Sequence, residues 1–310
     1  MKTRTIVIVV LLAAFISGFI PVTKSDRFKI NAPYDNVYHQ FTSPKNWLNW
    51  QPDLKWISKS NTIKIDSSKT GFQITAPSIA VNLQNLGLGN FVVTQTQNNK
   101  LYNYSCILTP ESTSNKTLAT IISEIHLFGY ISSFIIKDDK QPPIAGLKSY
   151  LEDTRLYYGF MIRKELTTEK LIAVKRGSFI NSGLYQQTGK MLNQLNGYLL
   201  KNKLKIVSPL QLQYVTITKD SVQVMLGFPV DKKAAAANDI EYMAMPKGKI
   251  LVGYFNDYYK NKEKLYNAMR QYMRGNYIHP MIQPFERFDN NKLPAGDSSL
   301  VNMQLIVPYM

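Results

Sequence analysis

The apolar positions of the chain change their period several times, and each change marks a predicted element. From Ile6 to Val22 no residue is charged, in the run IVIVVLLAAFISGFIPV, and Lys2 and Arg4 precede it. With Thr5 the run would make a helix of about 27 Å, just enough for the hydrocarbon core of a bilayer. Residues 1–24 are therefore expected to form an N-terminal transmembrane helix. A cleaved secretory signal shares the basic start and apolar core and is the competing reading, although no small-residue cleavage site follows here. Lys24, Arg27 and Lys29 nearly balance Lys2 and Arg4, and the reading places the N-terminus inside and the soluble part outside.

Residues 25–162 read as α+β. Pro33 suits the start of a helix, with Val37 and Phe41 on one of its faces. An aromatic corner follows, Asn46-Trp47-Leu48-Asn49-Trp50-Gln51-Pro52. Gly71–Ala76, Phe91–Gln97, Leu101–Leu108 and Lys116–Leu127 are strand-like, and Asn98-Asn99 supplies a turn between two of them. Helical spacing returns from Ile144 to Tyr158, where Ile144, Leu147, Leu151 and Tyr158 share a face.

Residues 163–310 contain an internal repeat. Leu171–Val174 and Ile250–Gly253 are strand-like runs 79 positions apart. An amphipathic helix follows each: Met191, Leu192, Leu195 and Leu199 in the first, Leu265, Met269, Tyr272 and Met273 in the second. Proline-led strands come next, Pro209–Gln213 and Pro284–Phe288. Each half closes on a strand that ends at proline, Val222–Phe228 with Pro229 and Val301–Val307 with Pro308, again 79 apart. Two copies of β-α-β-β predict a pseudo-twofold α+β domain.

Composition narrows the function classes. A length of 310 residues and 45% hydrophobic content fit two domains with real cores and argue against disorder. One cysteine, Cys106, excludes an intramolecular disulfide. The net charge of +16 is spread over both halves, in single or paired basic residues, without a helix-turn-helix or an interleaved aromatic and basic strand motif. That pattern suits solvated faces beside an anionic membrane better than a nucleic-acid partner. His39, His126 and His279 lack metal-ligand spacing, and no nucleophile elbow, zinc motif or phosphate loop occurs. Neither metal nor cofactor is expected.

Two stretches resemble known families. Ile30-x-Ala32-Pro33 with Val37, then Trp47-x-x-Trp50-x-Pro52, resembles the opening of START-like (SRPBCC, polyketide-cyclase-type) proteins. The resemblance implies a helix-grip fold, a curved sheet holding a long C-terminal helix over an apolar cavity. Trp47 and Trp50 then either line a ligand site or plug the core. Gly227-Phe228-Pro229-Val230, Met245-Pro246-x-Gly248, Tyr254 through Tyr258, and Pro284-Phe285-Glu286-x-Phe288 resemble the GyrI-like family, the effector-binding domain of bacterial multidrug-sensing regulators. This likeness implies a cleft between the halves that takes amphipathic or cationic small molecules, with the family's pocket glutamate at Glu286. The chain departs from that pattern at Asn256-Asp257, where a glycine before the tyrosine is usual.

The residues support Glu286 on their own terms. In a strand, Glu286 and Phe288 share one face, away from Phe285 and Arg287. A buried, unpartnered carboxylate beside an aromatic makes a seat for a lipophilic cation; a solvent-facing or backbone-bonded Glu286 is the alternative. Tyr254, Tyr258 and Phe288 are candidate walls, or core residues. The expected whole is a bacterial, membrane-anchored, small-molecule binding protein for lipophilic or cationic ligands, with no DNA-binding domain. Its soluble domains would lie outside the inner membrane, or be secreted or periplasmic if the leader is cleaved. The alternative function is a GyrI-like hydrolase that uses Glu286 on lipophilic electrophiles.

Overall fold

The computed structural model describes residues 20–57, 62–97, 99–111, 115–127, 130–131, 143–168, 170–235, 237, 239–245 and 247–310. The chain is α+β and divides into two compact units, residues 1–153 and 154–310, each with its own antiparallel sheet.

The transmembrane helix is not what the described part of the apolar run forms. Pro21 and Val22 open strand β1 (Pro21–Ile30) and pair with His126 and Ile125. Proline lacks the N–H that a helix interior needs, and along β1 exposure alternates residue by residue, as a sheet pattern does. Among the described residues no helix is long and apolar enough to cross a membrane. Residues 1–19, the rest of that run, lie outside the described residues. The expected boundary at residue 24 falls inside β1.

In the first unit, helices α1 (Tyr34–Thr42), α2 (Pro44–Trp50) and α3 (Pro52–Ile57) follow β1. Strands β2 (Lys64–Ser67), β3 (Gly71–Ala76), β4 (Ile79–Gly87), β5 (Asn90–Gln97), β6 (Lys100–Pro110) and β7 (Thr117–His126) come next. The sheet order is β1-β7-β6-β5-β4-β3-β2, a meander closed by β1. Asn99 takes a φ of 63° in the tight turn between β5 and β6, where asparagine tolerates the left-handed region. Alternation in β4 and β5 buries Ile79, Val81, Leu83, Phe91 and Val93. The helices cover that same face: the Phe41 and Phe91 rings are 5.0 Å apart, and Trp47 and Phe72 5.8 Å. Helix α4 (Pro143–Glu152) adds Ile144, Leu147 and Leu151 to the core. The helix expected to continue through Tyr158 breaks at Asp153.

After the break, α5 (Thr154–Tyr158) belongs with the second unit. Its Thr154 Oγ1 accepts from the Ile162 N–H at 2.9 Å, and Tyr158 packs on Tyr272 at 5.3 Å. The chain then runs through β8 (Ile162–Thr167), β9 (Lys170–Ile180), α6 (Leu184–Lys201), β10 (Leu210–Thr216), β11 (Ser221–Val230), β12 (Ile240–Met245), β13 (Gly248–Tyr258), α7 (Lys262–Gly275), β14 (Phe285–Phe288) and β15 (Leu300–Tyr309). The order β12-β9-β11-β10-β14-β15-β13-β8 reads the same outward from a central β10–β14 pair. Sequence patterning indicates four elements per half, and the structure adds a fifth. β8 precedes the first half but pairs with β13, and β12 precedes the second but pairs with β9. Each half therefore lends an edge strand to the other.

That exchange forces curvature. Three Cα steps join Thr167 of β8 to Lys170 of β9, a reach of at most about 11 Å. A flat sheet would hold those strands six spacings apart, roughly 29 Å. The sheet must roll so that its edges approach. One face carries α6 and α7: Met191, Leu195 and Leu199 of the first and Leu265, Met269 and Met273 of the second pack with Leu212, Leu226, Leu251 and Leu305. On the other face Ile250, Val252, Phe285 and Ile306 form a smaller cluster.

Candidate functional site

Glu286 sits on β14 at the middle of the rolled sheet, directly between Leu212 of β10 and Leu305 of β15. Directly opposed residues point to the same side, and both leucines belong to the helix-covered core. The carboxylate is thereby aimed into that core, with 0% of its surface exposed. An isolated carboxylate there would cost several kcal/mol, so its partners decide what the site is.

Three side chains from the start of α7 provide them. The Tyr259 hydroxyl donates to Oε2 at 2.7 Å, the Lys262 Nζ to Oε1 at 2.9 Å, and the Tyr266 hydroxyl to Oε1 at 3.0 Å. Spacings of three and four residues put the three side chains on one helical face. Tyr259 opens the 3₁₀ turn Tyr259–Asn261, which leads into α7. That turn is pinned by the Tyr259 N–H on the Ser299 carbonyl at 2.9 Å and the Lys260 N–H on the Asp297 carbonyl at 3.0 Å. Asp257 braces it from below: its carboxylate accepts from the Tyr258 N–H and from Asn261 Nδ2, and those bonds hold its carboxyl below the usual range. Asn256-Asp257, where the chain departs from the GyrI-like pattern, thus has a local role.

The ammonium of Lys262 lies 4.1 Å from the Tyr259 ring centroid and 4.7 Å from that of Tyr214. It also donates to the Tyr259 hydroxyl at 2.7 Å. A cation is therefore boxed by two aromatic faces and a buried carboxylate. Burial, and after it the charge of Glu286, push the phenols of Tyr259, Tyr266 and Tyr214 above the ordinary tyrosine range. Burial also raises Tyr185, helped by its 2.6 Å hydrogen bond to Asp297. Over the cluster opens a cavity of about 250 Å³ lined by Leu184, Tyr185, Tyr214, Tyr259, Lys262 and Asp297, among others. Lys262, its side chain 21% exposed, stands between that cavity and Glu286.

The residues named from sequence fall in different places. Phe288 shares the face of Glu286, is buried, and lies 6.5 Å from the Tyr259 ring. Tyr254 does not reach the site. It packs with the cluster on the opposite face and donates to Glu165 Oε1 at 3.0 Å. Tyr258, of the same strand parity, is 49% exposed and carries Lys260 over its ring. Alternation along β13 turns both away, and Tyr259, one residue later, is the one that meets Glu286. Nor is Glu286 the unpartnered carboxylate expected. Three donors already engage it, two on Oε1 and one on Oε2. Trp47 and Trp50 are buried in the first unit, 4.4 Å apart, and their indole N–H groups donate to the carbonyls of Phe41 and Gln40. Tyr259, Lys262 and Tyr266 were missed from the sequence; their Tyr-x-x-Lys-x-x-x-Tyr spacing was the signal that could have found them. Tyr185 and Tyr214 carry no such local signal.

Among the described residues no group of His, Cys, Asp and Glu could hold a metal ion. The described residues also line other hollows. One of about 350 Å³ is lined mostly by polar residues of the β2–β4 region, with Phe72 and Leu83 among them. Another, about 190 Å³, lies on the second face of the rolled sheet among Ile172, Val174, Met225, Met243, Met245 and Phe285.

No family model and no curated protein matches the sequence. Among solved structures the chain is similar to the EcmrR C-terminal domain, at 15% identity and a TM-score of 0.41, over 49% of this chain and 98% of that one. It is also similar to SAV2435 bound to tetraphenylphosphonium, at 9% identity and a TM-score of 0.35, over 48% and 94% of the two chains. Similarity to the di-domain ARO/CYC BexL from the BE-7585A biosynthetic pathway extends over 93% of this chain and 85% of that one, at 10% identity and a TM-score of 0.32.

Proposed function

We propose that the second unit is a small-molecule binding module that seats amphipathic organic cations at Glu286. The observation that carries this reading is the box itself. A fully buried carboxylate, the hydroxyl oxygen of Tyr259 and two tyrosine faces already hold an ammonium 2.9 Å from Glu286 Oε1. What the site accepts from Lys262 it can accept from a ligand of like charge. Each aromatic face contributes about 0.5–2 kcal/mol toward a cation, more as water is excluded. The cavity above the box leaves room for an apolar substituent.

Calorimetric titration of the full chain with benzyltrimethylammonium tests the reading, with benzyl dimethyl carbinol as a neutral partner of similar shape. The cation is expected to bind in preference to the carbinol. Glu286→Gln keeps the shape but removes the charge, and is expected to weaken cation binding at least about tenfold, or ~1.4 kcal/mol. Equal affinity of Glu286→Gln and wild type for the cation would contradict the reading.

A further inference from the structure

The cation seat is occupied by a residue of the chain itself. Lys262 spends one N–H on Glu286 Oε1 and one on the Tyr259 hydroxyl, at 2.9 and 2.7 Å, with its ammonium against the rings of Tyr259 and Tyr214. Glu286 is 0% exposed while Lys262 is 21% exposed, so the lysine is the layer a ligand meets first. Lys262 is also the first residue of α7. Its flexible four-carbon stem can swing outward by side-chain rotation alone, with the helix backbone unchanged. Glu263 and Asp297 line the same cavity and offer a displaced ammonium an acidic rim.

Two cations cannot share this seat. At about 4 Å their repulsion is large in a site of low effective dielectric, and one carboxylate balances one charge. A ligand cation can enter only as Lys262 leaves, an exchange that conserves the charge beside Glu286. From this geometry we propose that Lys262 is a tethered competitor that holds the Glu286 seat closed and sets which ligands open it. The proposal rests on the cation-binding reading above. It implies that wild-type affinity is the intrinsic affinity reduced by the fraction of molecules with Lys262 swung out. It implies selectivity as well. A plain ammonium gains nothing over the lysine, whereas a cation with an aromatic substituent adds contact with Tyr185 and Tyr214 and wins the exchange.

The test compares the full-length wild type with Lys262→Met and Lys262→Gln, titrated with benzyltrimethylammonium. Both variants are expected to bind at least about tenfold more tightly than wild type. Their melting temperatures should start lower, because Glu286 loses its charged partner, and rise further on saturation than that of wild type. Wild type alone supplies a second measurement, reductive methylation of lysines read by mass spectrometry. Lys262 should be protected in the free protein and become reactive when the probe is bound. If the variants bind the probe as wild type does, or more weakly, and Lys262 stays protected in the complex, the seat stands and the tethered competitor is overturned. If wild type and both variants, folded by circular dichroism, all fail to bind, the cation seat itself is wrong and the inference falls with it.

Discussion

Oε2 of Glu286 has a single donor, Tyr259, whereas Oε1 has two, Lys262 and Tyr266. The two tyrosines should therefore not be equivalent. Tyr259→Phe strands a buried carboxylate oxygen, and urea denaturation is expected to show a loss of about 1.5–3 kcal/mol, the range for hydrogen bonds to charged groups. Tyr266→Phe leaves Oε1 its lysine and should cost distinctly less. The reverse ranking would mean that the network is held differently. The sequence made Glu286 legible through strand alternation and through the resemblance around Pro284–Phe288. It did not show the partners, because Tyr259 lies one residue past the aromatic run that drew attention, and that single step reverses the face. Tyr254 and Tyr258 were misplaced for the same reason.

Helix α4 approaches α2 more closely than a side chain allows. A Cβ on Gly146 would stand 2.5 Å from the backbone carbonyl of Trp50, which cannot move aside as a flexible side chain can. Gly146→Ala gains up to about 1 kcal/mol in helix propensity but overpacks a helix contact, at about 1–3 kcal/mol. Net destabilisation of the first unit is expected in a thermal melt. A stabilised variant would show that α4 is not seated there. Gly253 offers a contrast: an added Cβ would meet the ends of Leu265 and Met269, at 2.8 Å each, and those ends can give. Among the elements, the strongly periodic ones could be read directly, such as β3, β5, β6 and both long amphipathic helices. β1 was hidden because its residues adjoin an apolar run and its half-buried positions carry the charges of Lys24 and Asp26, which blur the alternation. β8 and β12 were hidden because they are short edge strands whose partners are remote in sequence.

The rolled sheet of the second unit is a property of pairing rather than of local pattern. The repeat could be read from a 79-residue offset, but the exchange of edge strands, which forces the roll, leaves no periodic trace. The burial of phenols around one carboxylate gives the unit a characteristic pH response. Tyr214, Tyr259 and Tyr266 all have folded pKa values raised above the ordinary tyrosine value of about 10. A raised folded pKa means that the unfolded chain loses these protons first, so stability is fully present below pH 10 and falls as pH rises beyond it. Denaturation midpoints are expected to be flat from these tyrosines up to about pH 9 and to drop above pH 10. Replacing Tyr259 by Phe should make the drop shallower.

A crystal structure of the full chain with benzyltrimethylammonium would show whether a cation seats against Glu286. The expected result puts the quaternary nitrogen beside the Tyr214 and Tyr259 rings, with Lys262 turned out of the box. A probe lodged instead in the hollow among Met225, Met243 and Phe285, with the Lys262–Glu286 pair intact, would contradict the account.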